Sequence, residues 1–182
     1  MGDISVAVTV FAVIAIACGT SYSQTKCIWI EKSEHGTTTS KIGVSYNVAK
    51  VFAGSGGDFD LDGAQVKFDT LLYAYRTGNV VRVPDSTGTG ESKIYRGTFD
   101  KPMEESTNKR HYLVVENTDS TGAVKVTKLR SESVEAVGVI LAMIGSKNVD
   151  EDIDRIESVL EPGGILYVRD MKKKSSVWIY IN

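Results

Sequence analysis

Apolar and polar residues alternate along much of the chain, which is the pattern of strands that are buried on one face. The alternation is clear in "KCIWIEK", residues 26–32, and in the β-rich run "KIGVSYNVAKVFA", residues 41–53. It continues in six further segments that are separated by polar or glycine-containing turns: 64–76, 80–83, 92–99, 110–130, 165–170 and 176–181. Many short antiparallel strands with polar turns predict an all-β sandwich or barrel.

The segment "GGDFDLDGAQVKFD", residues 56–69, admits two interpretations. Asp58, Asp60 and Asp62, followed by Gly63, match the start of an EF-hand calcium loop. The apolar positions, however, change from odd to even across Asp62-Gly63, as they do in two strands joined by a two-residue Asp-Gly turn. Such a hairpin pairs residues whose numbers sum to 125, the sum of 62 and 63. We predict a hairpin without bound calcium, and a calcium-binding module is the alternative.

One late segment has helical periodicity. In "NVDEDIDRIESVLEPGG" the apolar residues Ile153, Ile156 and Leu160 recur at helical spacing, acidic residues occupy the first turn, and Pro162 ends the run. The wholly apolar segment before it, residues 134–145, fits a buried strand or a helix, and we predict a strand. The sequence therefore predicts an all-β fold with one C-terminal α-helix before the last strands.

The chain begins with a leader of the secretory type. Residues 6–17 are apolar almost throughout, too few to span a bilayer, and small residues precede a cleavage site after Ser23. We predict a signal peptide over residues 1–23, a single mature domain over residues 24–182, and a secreted protein with no membrane span after processing. A lipoprotein cleavage box at residues 15–18 is the alternative.

Composition restricts the classes of function. Without Asp3 of the leader, 21 Lys and Arg face 23 − 1 = 22 Asp and Glu, so the mature domain is nearly neutral and nucleic-acid binding is not expected. Cys18 is removed with the leader, so Cys27 has no internal disulfide partner and we predict a buried or interface thiol. A homodimer linked through Cys27, or a pigment attached to it covalently, is the alternative. His35 and His111 lack a second ligand at metal-binding spacing, so no metal, cofactor or catalytic centre is expected.

The exported size, the run of strands and the late helix resemble a lipocalin of the calycin superfamily. The resemblance covers residues 26–182 and is strongest over residues 136–165. The sequence departs from the family at two points. Trp29 stands in "CIW" without the glycine of the family's Gly-X-Trp motif, and the family's usual disulfides are missing. The resemblance implies an eight-stranded antiparallel up-and-down β-barrel. It also implies a carrier that holds a small apolar or amphipathic ligand inside the barrel, without catalysis.

Tyrosines supply the candidate ligand site. Four of them fall in predicted strands, and four hydroxyls are more than a dry core readily satisfies. We predict that these four line the ligand cavity: Tyr73, Tyr75, Tyr95 and Tyr112. An exported structural or interaction protein with a filled core is the alternative. A Rossmann-like methyltransferase, suggested by "FAGSGG" at residues 52–57 and by "VLEPGGILYVRD", is a further one.

Overall fold

The computed structural model describes residues 25–53, 58–61, 64–85, 88–99, 111–133 and 162–182, together with Glu135, Ala136 and Gly138. Within them are two helices, α1 (Tyr46–Ala53) and α2 (Phe68–Thr77). The strands are β1 (Lys26–Glu34), β2 (Thr37–Ser45), β3 (Asp58–Leu61), β4 (Ala64–Lys67), β5 (Val81–Pro84), β6 (Gly90–Thr98), β7 (Tyr112–Thr118), β8 (Val124–Arg130), β9 (Gly163–Asp170) and β10 (Ser175–Ile181).

Eight strands form one antiparallel sheet in the order β5-β6-β1-β2-β9-β10-β7-β8, and β3 pairs only with β4. The prediction of a mostly β, antiparallel fold is therefore confirmed. In the part of the chain that the structure describes, β5 and β8 are the two edges of the sheet and do not pair with each other. The sheet is thus open here, not closed into a barrel.

The two halves of the sheet share one topology. Each half holds two hairpins, and the second strand of the later hairpin pairs with the first strand of the earlier one. This gives β5-β6-β1-β2 in one half and β9-β10-β7-β8 in the other, and the halves meet where β2 pairs with β9. Each half therefore contributes one edge strand.

One face of the sheet, which we call the helix face, is aliphatic and is covered by α1 and α2 in the first half. Alternate positions of β1, β2 and β6 direct side chains to this face, because successive residues of a strand point to opposite sides. These side chains pack in one cluster with residues of both helices: Ile28, Ile30, Ile42, Val44, Ile94, Val48, Ala49, Phe68, Leu71 and Leu72. Among the described residues, burial of this cluster is the main hydrophobic contribution to the fold.

Both helices replace segments for which alternation predicts strands. The predicted strand at residues 41–53 is right up to Ser45, whose Oγ accepts a hydrogen bond from the backbone N–H of Val48 at 3.1 Å and so begins α1. The predicted strand at residues 64–76 is right for β4 and wrong from Phe68 onward. There the buried residues are spaced three and four apart, and Gly78 ends α2 in the left-handed conformation.

Most of the other strand predictions are confirmed. The β3–β4 register pairs Asp58 with Lys67 and Leu61 with Ala64. Paired residue numbers sum to 125, so the register predicted for the Asp-Gly hairpin is confirmed. α2 then begins at Phe68, directly after β4. The segments at 26–32, 92–98, 165–170 and 176–181 are strands, and the hairpin predicted within 110–130 is formed by β7 and β8, residues 112–130. A continuous backbone ladder at residues 58–61 and 64–67 differs from the open loop of an EF-hand.

The late helix and the leader cannot be compared with the structure. The predicted helix at residues 148–160 and the signal peptide at residues 1–23 lie outside the described residues. In the apolar segment 134–145, Glu135, Ala136 and Gly138 are helical, so the predicted strand is wrong at its beginning. Both α1 and α2 precede β5, where no helix was predicted.

Candidate functional site

The face of the sheet opposite the helices is aromatic, and we call it the aromatic face. Its ring-bearing side chains form a second cluster, separate from the aliphatic one: Trp29, Tyr95, Phe99, Tyr112, Tyr167, Trp178 and Tyr180. Both tryptophans, Phe99 and Tyr180 are buried, whereas the other three tyrosines are half-buried. The half-buried rings are the part of the face that a ligand can reach.

Strand register places these rings in a lateral row. Tyr95 of β6 lies opposite Trp29 of β1, and Trp29 lies opposite Gly43 of β2. Gly43 in turn lies opposite Tyr167 of β9, which lies opposite Trp178 of β10. Directly opposed residues point to the same side of a sheet, so five neighbouring strands contribute to one row. The row holds four aromatic rings and one glycine.

Glycines make room for the rings of this row. A β-carbon at Gly43 would lie 2.6 Å from Phe99 Cε1, and one at Gly97 would lie 2.5 Å from Trp29 Cδ1. A β-carbon at Gly164 would overlap the ring of Phe99 directly. Phe99 follows β6 and crosses over the glycines of β2 and β9, held by a hydrogen bond from its backbone N–H to the carbonyl of Thr25 at 3.1 Å. Rings laid over sheet glycines bury backbone that would otherwise lack side-chain cover.

The rings meet edge to face. Phe99 stands 5.7 Å from Trp29 and 4.7 Å from Trp178 between ring centroids, at angles of 82° and 87°. Tyr167 contacts both tryptophans, at 5.9 and 5.5 Å. Such pairs contribute about 0.5–1.5 kcal/mol each beyond the burial of their area. The indole Nε1 of Trp178 is buried and donates to no acceptor among the described residues, which leaves one polar group of this cluster unsatisfied.

A row of charged residues borders the aromatic row, and we call it the polar row. It consists of Lys93, Glu31, Lys41 and Arg169, which lie opposite one another on β6, β1, β2 and β9. Each is two positions from a residue of the aromatic row on its strand, so its side chain leaves the same face. The polar row carries three cationic side chains and one anionic side chain.

Contacts tie the two rows together. Tyr95 donates its hydroxyl hydrogen to Glu31 Oε1 at 2.5 Å, and Lys41 Nζ lies 3.3 Å from the same oxygen. Lys41 Nζ also lies 4.5 Å from the centre of the Trp29 ring, and Lys93 Nζ lies 5.4 Å from that of Tyr95. Cations over ring faces contribute about 0.5–1 kcal/mol at exposed sites. The site therefore joins an apolar surface to fixed charges.

The protonation states in this cluster are stable near neutral pH. Burial by itself would raise the pKa of Glu31, but hydrogen bonds from Tyr95 and Lys41 and the charges of Lys41 and Lys93 lower it overall. Burial and the hydrogen bond to Glu31 raise the pKa of Tyr95. Burial opposes the charge of Lys41, yet its contacts with Tyr95 and Glu31 raise its pKa. All three pKa values move away from 7, so this cluster is suited to holding a charged group and poorly suited to proton transfer.

The structure does not bring the four predicted tyrosines together. Tyr95 and Tyr112 both lie on the aromatic face, but five strand spacings separate β6 from β7, roughly 24 Å. Tyr73 and Tyr75, predicted to share a strand face, are in α2 instead. Tyr75 packs on Tyr46 with 4.4 Å between ring centroids, on the helix side, and Tyr73 is 56% exposed. A single small cavity therefore does not hold all four.

The remaining sequence candidates lie apart from the polar row. Cys27 is fully buried in the cluster of the aromatic face, which agrees with the predicted buried thiol. His35 is in the β1–β2 turn, and the Nδ1 of His111 lies 2.9 Å from the carbonyl oxygen of Asn182. Within the described ranges no three His, Cys, Asp or Glu side chains come together as a metal site. An open groove of about 440 Å³ at the ends of β7, β8 and β10 has none of the four tyrosines in its lining.

Sequence reasoning did not single out six residues of this site: Trp29, Glu31, Lys41, Lys93, Tyr167 and Arg169. Each occupies an alternating position of a strand, but alternation alone does not say which face is covered by helices. The neighbouring glycines are the available signal, since Gly43, Gly97 and Gly164 interrupt otherwise well-formed strands. Strand interiors with glycine mark places where a large group approaches the backbone closely.

Comparisons with known proteins do not identify the chain. No protein-family model matches it, and the searches of curated proteins and of solved structures found no match either. The described helices are all too short or too polar to cross a membrane. The described main sheet is wholly antiparallel, whereas the fold of the Rossmann-like methyltransferase alternative has a mostly parallel sheet.

Proposed function

We propose that the protein binds a small amphipathic ligand, with an apolar body and an anionic head, where the aromatic row meets the polar row. The observation that carries the proposal is this juxtaposition of rings and cations on one side of the sheet. Apolar surface next to a few fixed polar groups is the usual composition of a small-molecule site. This is the amphipathic ligand that the lipocalin resemblance implies, placed on a sheet face.

The apolar body of the ligand contacts the half-buried rings. Tyr95 and Tyr167 are the accessible aromatic side chains on either side of Trp29, and Phe99 already fills the space over Gly43 and Gly164. A ligand that covers these two tyrosines leaves the packed tryptophans in place. We therefore expect binding without rearrangement of the sheet.

The anionic head of the ligand pairs with the polar row. Lys41 is held by Glu31 and the Trp29 ring, and Arg169, directly opposite Lys41, is exposed. An arginine can bind a carboxylate or phosphate through two parallel hydrogen bonds. The excess of cations in the row then favours an anion over a neutral or cationic head.

A closed barrel with the ligand inside is the more specific form of this proposal. It requires β5 and β8 to meet, yet both are edges of the described sheet and β8 is exposed along most of its length. The aromatic face, not a barrel interior, therefore supports our proposal. Secretion and transport of the ligand, which follow from the leader and the lipocalin resemblance, remain predictions.

The test compares two fluorescent probes of similar apolar size. One is 8-anilinonaphthalene-1-sulfonate, which has an anionic head, and the other is neutral N-phenyl-1-naphthylamine. We expect saturable binding of the sulfonate at about one site, weaker binding of the neutral probe, and a smaller difference at high salt because screening weakens the charge interaction. Equal affinity for both probes would exclude a role for the polar row.

Variants locate the site. Lys41→Met and Arg169→Gln should each weaken the sulfonate roughly tenfold, since a hydrogen bond to a charged group contributes about 1.5–3 kcal/mol. Lys125→Gln, which removes a cation from β8 and leaves the polar row intact, is the matched control and should leave the affinity unchanged. Loss of binding in the control alone would place the site elsewhere.

A pair of tyrosine variants separates this site from the cavity predicted from the sequence. Tyr95→Phe should weaken the sulfonate a few-fold, because Glu31 and Lys41 lose the hydroxyl that orients them. Tyr112→Phe should have no effect, since Tyr112 lies at the far end of the aromatic face. Equal effects of the two variants would favour a shared cavity.

A structural or interaction protein with a filled core is the second candidate. The insertion of Phe99 between Trp29 and Trp178 favours it, because the chain's own ring occupies the apolar space there. This candidate predicts no saturable site for either probe in the folded protein.

A further inference from the structure

The two edges of the described sheet differ in how well they are protected. β5 has four residues and ends at Pro84, and Arg82 forms an ion pair with Glu91 across to β6. A short strand with a terminal proline is a common way to block further pairing. β8 has seven residues and no proline, and only Leu129 among them is not exposed. One edge is closed to a further strand and the other is available.

Hydrogen-bond phase shows which backbone groups β8 presents outward. The N–H of Asp119 donates to the carbonyl of Ala123 at 3.0 Å, and the N–H of Ser131 donates to that of His111 at 3.2 Å. In an antiparallel pair the hydrogen-bonded positions alternate, so odd-numbered residues of β8 bond to β7. The N–H and C=O groups of Val124, Val126, Lys128 and Arg130 therefore point away from the sheet.

The β7–β8 turn holds this edge in a strand conformation. The Asp119 carboxylate accepts hydrogen bonds from the backbone N–H and hydroxyl of Thr121, at 2.8 and 2.6 Å, and from the N–H of Ala123 at 3.0 Å. These hydrogen bonds lower the pKa of Asp119, and the largest contribution comes from the Thr121 hydroxyl. The Asp119 carboxylate therefore stays ionised and hydrogen-bonded at neutral pH. A pre-formed edge loses little conformational entropy on binding.

The outward-facing residues of β8 combine apolar and cationic side chains. Val124 is 57% exposed and Val126 is 48% exposed, which makes them two of the most exposed large apolar side chains in the described residues. Lys128 and Arg130 follow on the same side of the sheet, and Lys125 adds a third cation on the other side. β8 contains no acidic residue, and none of these three cations forms an ion pair within the described part of the chain.

We propose that β8 is a docking site for an extended acidic segment of a partner protein, which adds to the sheet as an antiparallel strand. The exposed backbone groups supply the hydrogen bonds, and alternate side chains supply the selectivity. The docked strand runs antiparallel to β8, so its first residue lies opposite Arg130 and its last opposite Val124. We expect acidic residues opposite Arg130 and Lys128, and apolar residues opposite Val126 and Val124. The segment then has the order acidic-x-acidic-x-apolar-x-apolar. This inference concerns a different surface from the aromatic site and stands whether or not that site binds a ligand.

A second copy of the chain fits this edge poorly. Pairing two β8 strands would gather six cationic side chains, three from each copy, with no acidic residue in either strand. Like charges on neighbouring strands are destabilising. Charge complementarity therefore favours an acidic partner over self-association.

The test uses a fluorescein-labelled peptide with the order acidic-Thr-acidic-Thr-Val-Thr-Val and a matched peptide with lysine at both acidic positions. Fluorescence anisotropy with the full chain should show saturable binding of the acidic peptide only. Lys128→Glu should weaken that binding about fivefold, the combined effect of a lost attraction and an added repulsion. The same variant should gain affinity for the lysine peptide.

A proline variant tests the backbone contribution. Val126→Pro removes an N–H that points away from β7, so the β7–β8 hairpin keeps its hydrogen bonds. The docked strand loses one hydrogen bond, and peptide affinity should therefore fall about tenfold. Val126→Ala keeps the N–H and serves as the control, with a smaller loss. The circular dichroism spectrum of both variants should match that of the parent protein.

Three outcomes would overturn the proposal. They are no saturable binding of the acidic peptide, equal binding of both peptides, and an unchanged affinity in both Lys128→Glu and Val126→Pro. A concentration-dependent dimer that Val126→Pro abolishes would instead assign the edge to a second copy.

Discussion

The helix face and the aromatic face belong to the same strands but are stabilised in different ways. On the helix face, aliphatic side chains from alternate positions pack under α1 and α2. On the aromatic face, rings lie over glycines and pack edge to face, and charged residues border them. The first arrangement presents mostly aliphatic side chains, whereas the second keeps half-buried tyrosines and fixed charges accessible. We infer that one face stabilises the fold and the other can bind.

The largest expected difference between the faces concerns stability. Phe68 of α2 is 2% exposed within the aliphatic cluster, so Phe68→Ala should lower the free energy of unfolding by about 3–5 kcal/mol. Affinity for an anionic apolar probe should not change in the variant that remains folded. Urea denaturation and a fluorescence titration of the same sample measure the two quantities. A loss of affinity with little loss of stability would reverse the roles of the two faces.

The fit of rings over glycines is the next largest effect. Gly164→Ala places a methyl group in the ring of Phe99, and overpacking of this kind should destabilise the protein by about 1–3 kcal/mol. Replacing Phe99 by Leu should reduce that cost, because the smaller side chain leaves room for the methyl group. The four proteins of this double-mutant cycle, compared by urea denaturation, give the coupling. Strictly additive effects would show that Phe99 does not lie over Gly164.

The unsatisfied indole nitrogen predicts a smaller effect. Trp178→Phe removes a buried donor that has no acceptor among the described residues, so part of the lost packing is offset by the removed desolvation penalty. We expect a net change in the free energy of unfolding below about 1.5 kcal/mol, less than is usual for shrinking a buried ring. Thermal denaturation checks this value. A loss of 3 kcal/mol or more would reveal an acceptor for the indole N–H.

The polar row predicts the smallest effect, and it depends on pH. The folded-state pKa of Glu31 is lowered, so its ionised form stabilises the fold above the unfolded-state pKa, and this contribution is lost as the pH falls through the folded-state pKa. Glu31→Gln should therefore cost about 0.5 kcal/mol at pH 7, as ion pairs with access to solvent do, and nothing at pH 2. Denaturation curves at both pH values test this. An equal cost at both would mean that charge is not the cause.

Alternation predicted most of the strands, but it could not separate the two faces. Trp29 and Ile30 stand next to each other in β1, and only the positions of α1 and α2 decide which of them is covered by aliphatic residues. The helices were missed because Tyr, Val and Phe favour strands in isolation, while the cap at Ser45 and the spacing of Phe68, Leu71 and Leu72 favour helices.

The site was harder to predict than the strands because it depends on strand order. Glu31 and Lys41 are neighbours through a hairpin, which sequence can suggest. Tyr167 and Arg169 reach the same patch only because β9 pairs with β2, across more than a hundred intervening residues. Tyr95 lies in a strand, as the alternation of its segment predicts. Its partners, Glu31 and Lys41, follow from the sheet topology alone.

A map of a bound probe on the two faces tests most directly whether the aromatic face is the one that binds a ligand. The measurement records ¹H–¹⁵N correlation spectra of the labelled protein during titration with 8-anilinonaphthalene-1-sulfonate. We predict that the largest shift changes occur at Lys41, Tyr95, Tyr167 and Arg169, with little change at α1 and α2. Shift changes concentrated on α1, α2 and the helix face, or a spectrum that does not respond to the probe, would contradict the account.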